Sequence, residues 1–401
     1  MYIHVLIFVW QAVQLVIGYN LVFPLLLYLF YPAARNKFRQ NKVWNKVTEP
    51  DYGIIVTAYQ QTHTLPAVIE SLLKQEFQNF VIYIVADQCD ISNLNFNHPQ
   101  VIVLRPEEAL KSNIRSHFYA IERFVRPHPR LTIIDSDNLV HPKYLTEINA
   151  CFVKGYQAVQ GLRAAKNLNT MYACLDAARD IYYHFYDGDL LFKAGSSATL
   201  AGSGMAFSTD LYKFCLEKLN INGAGFDKVL QAEIVKYRLQ IAFAKKAIVY
   251  DEKTSHSEQL VNQRARWINT WFKYFKFGFE LISRSLANLS RNQFLFGLVL
   301  LRPPLFIFLL LSAFCAIADL WINPDYTMIW LAGFACFILS FFIALIRSKA
   351  DVRIYKALMG IPKFMFYQVL SLLKMGKANE RSVATNHYFK AAIEDVVNNK
   401  V

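Results

Sequence analysis

Long apolar runs occupy the two ends of the chain, and short ones alternate with amphipathic stretches between them. Residues 3–31 contain no Asp, Glu, Lys or Arg, and a run of more than about 18 such residues predicts a membrane span. No basic segment precedes this run and no small-residue cleavage site follows it. A transmembrane helix over 1–31 is therefore expected rather than a removed signal peptide. Residues 294–322 and 326–346 form two further runs, parted by Asn323-Pro324-Asp325, and predict a transmembrane hairpin over 294–346. Arg302-Pro303-Pro304 interrupts the first of them. A charge at mid-bilayer costs at least about 2.5 kcal/mol. Either Arg302 faces protein, water or headgroups, or the hydrophobic segment starts after Pro303.

From Tyr52 the pattern changes to short β-branched runs separated by helical periodicity, which predicts an α/β domain with a mixed, mainly parallel sheet. GIIVTA, FVIYIVAD, VIVL and LTIID read as strands, and LPAVIESLLKQ and SNIRSHFYAIERFV as helices. Further on, VQGLRAAKN reads as a strand and TMYACLDAARDIYYHFYDGDLLF as one long helix. A Gly202-Ser203-Gly204 turn then leads to another helix. In such folds ligands bind beyond the carboxyl ends of strands. Those positions hold Tyr59-Gln60, Asp87-Gln88-Cys89-Asp90, Arg105 and Asp135-Ser136-Asp137. A carboxylate after the second strand can accept from a nucleobase or ribose, and the paired carboxylates after LTIID can hold a divalent metal. A solvated turn is the alternative for an isolated Asp-Ser-Asp.

Asp227 opens the amphipathic helix DKVLQAEIVKYRL, where an aspartate is either a helix-terminal charge partner or a general base held toward a hydroxyl. Gln263, Arg266 and Trp267 stand at i, i+3 and i+4 on a helix beginning near Ser257, so they share a face. Arg266 can grip diphosphate with its planar fork, Trp267 can stack on a sugar, and Gln263 can fix either. The alternative is an interfacial anchor in which Arg266 meets lipid phosphate.

The net charge of +13 gathers at the edges of the apolar runs: Arg35, Lys37, Arg39, Lys42 and Lys46 after the first, Arg284 and Arg291 before the second, and Arg347, Lys349, Arg353 and Lys356 after the third. Positive flanks belong on the cytoplasmic side. That predicts an outside N-terminus and a cytoplasmic domain, in the plasma (inner) membrane. Such charge suits membrane lipids as partners, not nucleic acid. Six cysteines show no C-x-x-C spacing, so neither a zinc site nor a disulfide framework is expected. The aromatic- and lysine-rich stretch over 271–290 predicts an interfacial helix. Residues 350–401 predict an interfacial amphipathic helix and a cytosolic tail, with a further membrane-crossing segment as the alternative.

The ordered series IVADQCD, IIDSDNLVHP, LAGSGMAF, GFDKVLQAEI and QRARW resembles the membrane-bound family 2 glycosyltransferases, inverting enzymes of the GT-A fold. The resemblance implies a GT-A domain over 48–270. It implies that Tyr59, Asp87, Asp90 and Lys111 bind the nucleotide sugar, with Asp135, Ser136, Gln263, Arg266 and Trp267 near its diphosphate. Asp135 and Asp137 would hold Mg or Mn, and Asp227 would be the catalytic base, although Phe226 stands where the family has a glutamate. The loop DEKTSHSEQL resembles one that closes over the donor. In it Lys253 and Thr254 would touch diphosphate and His256 would ligate metal or gate. Gly202, Ser203, Gly204 and Trp267 would border the acceptor. The implied donor is a UDP-sugar. The implied acceptor is a growing polysaccharide, the first expectation, or a lipid. A one-chain polymer channel has few helices here, so a synthase would need a homo-oligomer or an export partner. An inactive membrane scaffold is the remote alternative.

Overall fold

A computed structural model describes residues 2–32, 50–92, 94–219, 224–377, 389 and 391–398. The basic residues expected between 35 and 46 lie outside the described residues. In chain order the elements are α1 (Tyr2–Phe30), β1 (Tyr52–Tyr59), α2 (Leu65–Leu73), β2 (Phe80–Asp87), β3 (Val101–Leu104) and α3 (Asn113–Ile121). There follow β4 (Arg130–Asp135), β5 (Leu139–Val140), α4 (Tyr144–Val153), β6 (Ala158–Ala165) and α5 (Met171–Tyr183), continued by a π-helical segment His184–Leu190 and α6 (Leu191–Lys193). Next come β7 (Met205–Ser208), α7 (Thr209–Leu216), α8 (Phe226–Lys236), β8 (Ile241–Asp251), α9 (Ser257–Tyr274), α10 (Lys276–Asn288) and α11 (Arg291–Leu301). The chain closes with α12 (Leu305–Ile322), α13 (Pro324–Arg347), α14 (Val352–Ala357), α15 (Ile361–Leu373) and α16 (Ile393–Val397).

The strands form one sheet in the order β3-β2-β1-β4-β7-β6-β8-β5. The β3-β2-β1-β4 part is parallel, β7 runs antiparallel to both β4 and β6, and β8 is parallel to β6. Register brings strand ends together: Tyr59 lies opposite Asp87, and Thr57 opposite Asp135. Successive side chains of a strand point to opposite faces, and here they feed two cores. Ile54, Val56, Ile82 and Ile84 pack toward α2 and α4, while Ile55, Tyr83, Val85 and Ile133 pack on the other side with α3, α7 and α8. The second of these cores continues through Tyr182, Phe185 and Tyr186 to Leu21 of α1, Phe308 of α12 and Trp330 of α13. No break in packing separates the sheet from the apolar helices.

Three helices, α1, α12 and α13, are long and apolar enough to cross a membrane. They are joined by Asp319, which accepts from Trp10 and Gln14 of α1 and from Trp330 of α13 at 2.9–3.0 Å. A buried carboxylate is tolerated when such donors satisfy it. The hairpin differs from the expected 294–346. Residues 294–301 belong to α11, which at 11 residues is about 16 Å long and packs on α10 and α8. Gly278 and Gly297 permit that crossing, since a Cβ on Gly278 would lie 2.8 Å from the Gly297 carbonyl. The long apolar helix therefore starts at Leu305, after Pro304. The 271–290 segment is likewise divided, between the end of α9 and α10. In the C-terminal region α15 has 13 residues, about 20 Å and too short to span about 30 Å of hydrocarbon. It lies along α9. The tail returns to the sheet domain, where Ile393 and Val396 are buried in the α2-side core and Glu394 pairs with Lys74.

Two histidines of the described residues, His117 and His128, are buried against the core on the α3 side of the sheet. His117 is fully enclosed, bonds the Tyr212 hydroxyl at 2.7 Å, and has its pKa pushed down to about 3 by burial. The unfolded chain therefore binds a proton that the folded chain refuses between roughly pH 6.5 and pH 3, so stability falls as pH drops through that window. His117→Phe is expected to flatten the pH dependence of detergent-phase thermal melts there, removing up to a tenfold change in the unfolding constant per pH unit.

Candidate active site

A single cleft of about 650 Å³ begins at the carboxyl ends of β1 and β4 and runs to the start of α12. It is lined by Tyr59, Asp135, Ser136 and Asp137 at and after the strand ends, by Asp227, Gln263, Arg266 and Trp267 of α8 and α9, and by Val299, Leu300, Arg302, Pro303 and Pro304 around the α11–α12 joint.

The Asp135–Asp137 loop is held by the turn that precedes β7. The Asp135 N–H donates to Ser203 Oγ at 3.0 Å. With its amide nitrogen turned toward the carboxylates, Asn138 donates to Asp137 and to Asp251 at 3.2 Å and accepts from Ser203 Oγ at 2.7 Å. Lys166 Nζ donates to the Asp137 carbonyl at 2.8 Å. Gly202, at φ +86°, faces open space along the cleft, and Gly204 hydrogen-bonds across to Ile133.

Asp227 sits in the first turn of α8, where the helix dipole favours a negative charge. Lys228 lies 3.1 Å from it and also donates to the Leu200 carbonyl, while Gln231 accepts from the Leu200 N–H. The preceding Gly225, at φ +97°, allows this turn to press against α9: a Cβ there would lie 2.6 Å from Thr270 and 2.7 Å from Tyr274. Phe226, in place of a carboxylate, is buried against the His117 ring.

Behind the cleft lies a charged lattice. Lys253 pairs with Asp180 of α5 and, at 2.7 Å, with Asp251 at the end of β8, and Arg163 of β6 reaches Asp251 at 2.8 Å. Burial alone would raise the Asp251 and Asp180 carboxyls. The surrounding Arg163, Arg179 and Lys253 charges outweigh it and hold both well below the ordinary carboxylate range. Two guanidinium groups lie near the Trp267 ring, Arg179 at 4.3 Å and Arg264 at 4.1 Å from its centroid, a favourable cation–π arrangement. Arg264 pairs with Asp176. Desolvation lowers the pKa of Arg266.

The model of the family described as "Glycosyltransferase like family 2" matches residues 50–270. The chain belongs to this family. Its fold is similar to that of the mannosyltransferase PcManGT from Pyrobaculum calidifontis, solved with GDP-Man and Mn²⁺. That likeness has a TM-score of 0.55 and 12% identity over 91% of this chain and 98% of that one. A more distant similarity, with a TM-score of 0.41 and 14% identity, is to S. aureus TarS residues 1–349 with UDP-GlcNAc, covering 82% and 90% of the two chains. No curated protein matches the chain.

Within the family 2 domain, the structure brings Tyr59, Asp135, Ser136, Asp137, Gly202, Asp227, Lys253, Thr254, Gln263, Arg266 and Trp267 to one cleft. Six other expected residues are placed differently. Asp87 is buried, and its two oxygens accept the N–H groups of Leu110 at 3.0 Å and Lys111 at 2.8 Å. Asp87 and Lys111 thus fix each other's loops beside Tyr59, Lys111 with φ +48°. Asp90 is exposed and accepts from Ser92 within its own turn. Ser203 and Gly204 lie behind the cleft as supports for the Asp135 loop and β7. His256 precedes α9 outside the cleft lining, and among the described residues no group of three or more His, Cys, Asp or Glu is gathered for a metal. The two rim carboxylates do fit an ion that takes its remaining oxygens from a substrate diphosphate, as Mg²⁺ commonly does.

Sequence reasoning missed the cleft face of α5. Arg179, Asp180, Tyr183, His184 and Asp187 all line the cleft, and the π-helical segment carries Asp187 around to face Arg302, with which it pairs. The available signal was a set of charges spaced along an otherwise aromatic helix. Seven carboxylates and six cationic side chains line the cleft, and burial holds His184 neutral, with its pKa lowered to about 4. The wall thus carries no surplus of positive charge.

Gly225→Ala is expected to cost more than about 1 kcal/mol from the positive φ alone and to reduce turnover further by displacing Asp227. Thermal melts and initial rates of the same preparation would check both.

Proposed function

We propose that the protein is an inverting hexosyltransferase that moves a sugar from a nucleoside diphosphate donor, a UDP-sugar in our reading, to the hydroxyl of a lipid at the cytoplasmic face of the plasma (inner) membrane. The observation that carries this is the continuity of the cleft, from Asp135 and Asp137 past Asp227 to Pro303 and Pro304 at the head of α12. An amphiphile with its hydroxyl beside Asp227 would leave its chains against Val299, Leu300 and the membrane helices. With only three helices long and apolar enough to cross a membrane among the described residues, this favours a lipid acceptor over a growing polymer. Exposed Phe279, Leu286, Leu289, Met359, Phe366 and Leu373 on α10, α15 and their flanks fit helices seated in the bilayer interface. The likeness to a mannosyltransferase bound to GDP-Man and Mn²⁺ supports a nucleotide-sugar donor and a divalent ion.

In the reaction the acceptor oxygen attacks the anomeric carbon while the bond from that carbon to the diphosphate oxygen breaks. The Asp227 carboxylate takes the acceptor proton, and nucleoside diphosphate departs. Asp135 and Asp137 would hold a Mg or Mn ion, whose charge neutralises the leaving diphosphate. Arg266 stands in the same cleft to stabilise that charge. Thr254, which donates to Gln263 at 3.2 Å, ties the post-β8 loop to α9 and closes this part of the wall. Lys253 is saturated by Asp180 and Asp251, so its role is to hold the wall.

Asp227→Asn is expected to lower kcat about 10²- to 10⁴-fold while nucleotide binding survives. Asp135→Ala with Asp137→Ala is expected to abolish Mn²⁺-dependent nucleotide binding, read by titration calorimetry. With labelled UDP-sugars, Mn²⁺ and membrane lipids, one solvent-extractable glycolipid is the expected product. A ladder of long polymers would overturn the acceptor reading, and absence of nucleotide release with every donor would overturn the reading as a transferase.

A further inference from the structure

Arg302 occupies the joint between α11 and α12, fixed by its own N–H to the Val299 carbonyl at 3.2 Å and followed by two prolines. It is 7% exposed, and its guanidinium lies over the Tyr183 ring at 5.3 Å while one nitrogen pairs with Asp187. The other terminal nitrogen, Nη1, is buried without a hydrogen-bond partner among the described residues. A buried N–H group left unmade is costly, and native structures rarely keep one without a reason. Here the group belongs to a side chain lining the cleft's membrane end, next to Val299, Leu300, Pro303 and Pro304.

The charge state of this end restricts what can accept from Arg302 Nη1. Arg302 is already neutralised by Asp187, His184 is neutral, and the cleft as a whole has no excess of cations. A lipid phosphate would seek arginine but would here confront the Asp187 carboxylate, and it would find no second free cation among the lining residues of that end. An uncharged oxygen meets no such repulsion. A carbonyl or hydroxyl oxygen can accept from Arg302 Nη1, and a neighbouring hydroxyl or amide N–H can donate to the Asp187 carboxylate.

We propose that Arg302 and Asp187 form an acceptor-specificity pair that receives the neutral hydroxyl-, ester- or amide-bearing headgroup of a lipid and selects against phosphorylated lipids. The proposal rests on the reading of the protein as a lipid-directed glycosyltransferase, and it names the acceptor's chemical class. The pair acts by positioning: it sets the depth at which the lipid enters and thereby places the acceptor hydroxyl beside Asp227.

The test uses the full-length protein in nanodiscs with Mn²⁺, a UDP-sugar panel and three probes supplied in turn: diacylglycerol, ceramide and a polyprenyl phosphate. Label in diacylglycerol or ceramide, with at least tenfold preference over the polyprenyl phosphate, is expected, and which of the two is labelled identifies the source of the neutral headgroup. Arg302→Lys, and separately the paired change Arg302→Gln with Asp187→Asn, should raise the KM for the neutral lipid about tenfold while the KM for the nucleotide sugar moves less than twofold. Thermal melts of the same variants identify any loss of fold, and the paired change avoids stranding one buried charge. Preferred labelling of polyprenyl phosphate would overturn this inference while leaving a lipid-directed transferase standing. Equal shifts in both KM values would assign the pair a purely structural role and overturn it as well. Polymer formation with no labelled lipid would overturn both the inference and the reading beneath it.

Discussion

Lys253 is the hinge of this architecture. Its ammonium group is almost wholly enclosed and shared between Asp180 on α5 and Asp251 at the end of β8, and Arg163 of β6 meets the same Asp251 oxygen. A buried charge is tolerable only when paired, and removing one partner from such a set commonly costs about 3–5 kcal/mol. The lattice therefore locks the orientation of α5 against the sheet. Because α5 runs on through its π-helical segment to meet Arg302, that lock also sets where the membrane helices stand relative to the strand ends.

The cleft follows from this constraint. One wall is the carboxyl ends of the parallel strands, where Tyr59 and Asp135 line the cleft and register sets Thr57 opposite Asp135. A second is the α8 turn, brought close by Gly225, and a third is the polar face of α5. The floor toward the membrane is apolar and continuous with the core that includes α1, α12 and α13. The cavity therefore has chemically different parts, a polar one rich in carboxylates and one beside the apolar helices with a single balanced ion pair.

Much of the sheet was legible in the chain. Alternating β-branched runs mark β1, β2 and β4, and β3 as well, because their side chains are sorted between two cores with a period of two. The short β5 and β7, two and four residues long, carry no periodicity, and both depend on neighbours supplied from elsewhere in the fold. Composition also could not separate α11 from α12: both are apolar, but α11 is covered by α10 and α8, whereas α12 presents Phe314, Ile317 and Trp321 outward. The Asp-Ser-Asp motif and Asp227, both singled out from the sequence, line one cleft. The Arg302 end of the cleft was not legible, because it is made by a helix whose π-helical turn departs from the 3.6-residue period and by an arginine 115 positions away from its partner Asp187. The supporting role of Asp87 was hidden likewise, since its partners are backbone N–H groups more than twenty residues onward.

The claim that one cleft serves a nucleotide-bound donor and a membrane-held acceptor is tested most directly by a cryo-EM structure in nanodiscs with Mn²⁺ and a non-transferable nucleotide-sugar analogue. The account predicts diphosphate and metal density against Asp135 and Asp137, the anomeric carbon turned toward Asp227, and acyl-chain density at Val299, Leu300, Pro303 and Pro304. Nucleotide bound outside this cleft, or a cleft sealed by protein between Asp227 and Arg302 while the donor is in place, would contradict it.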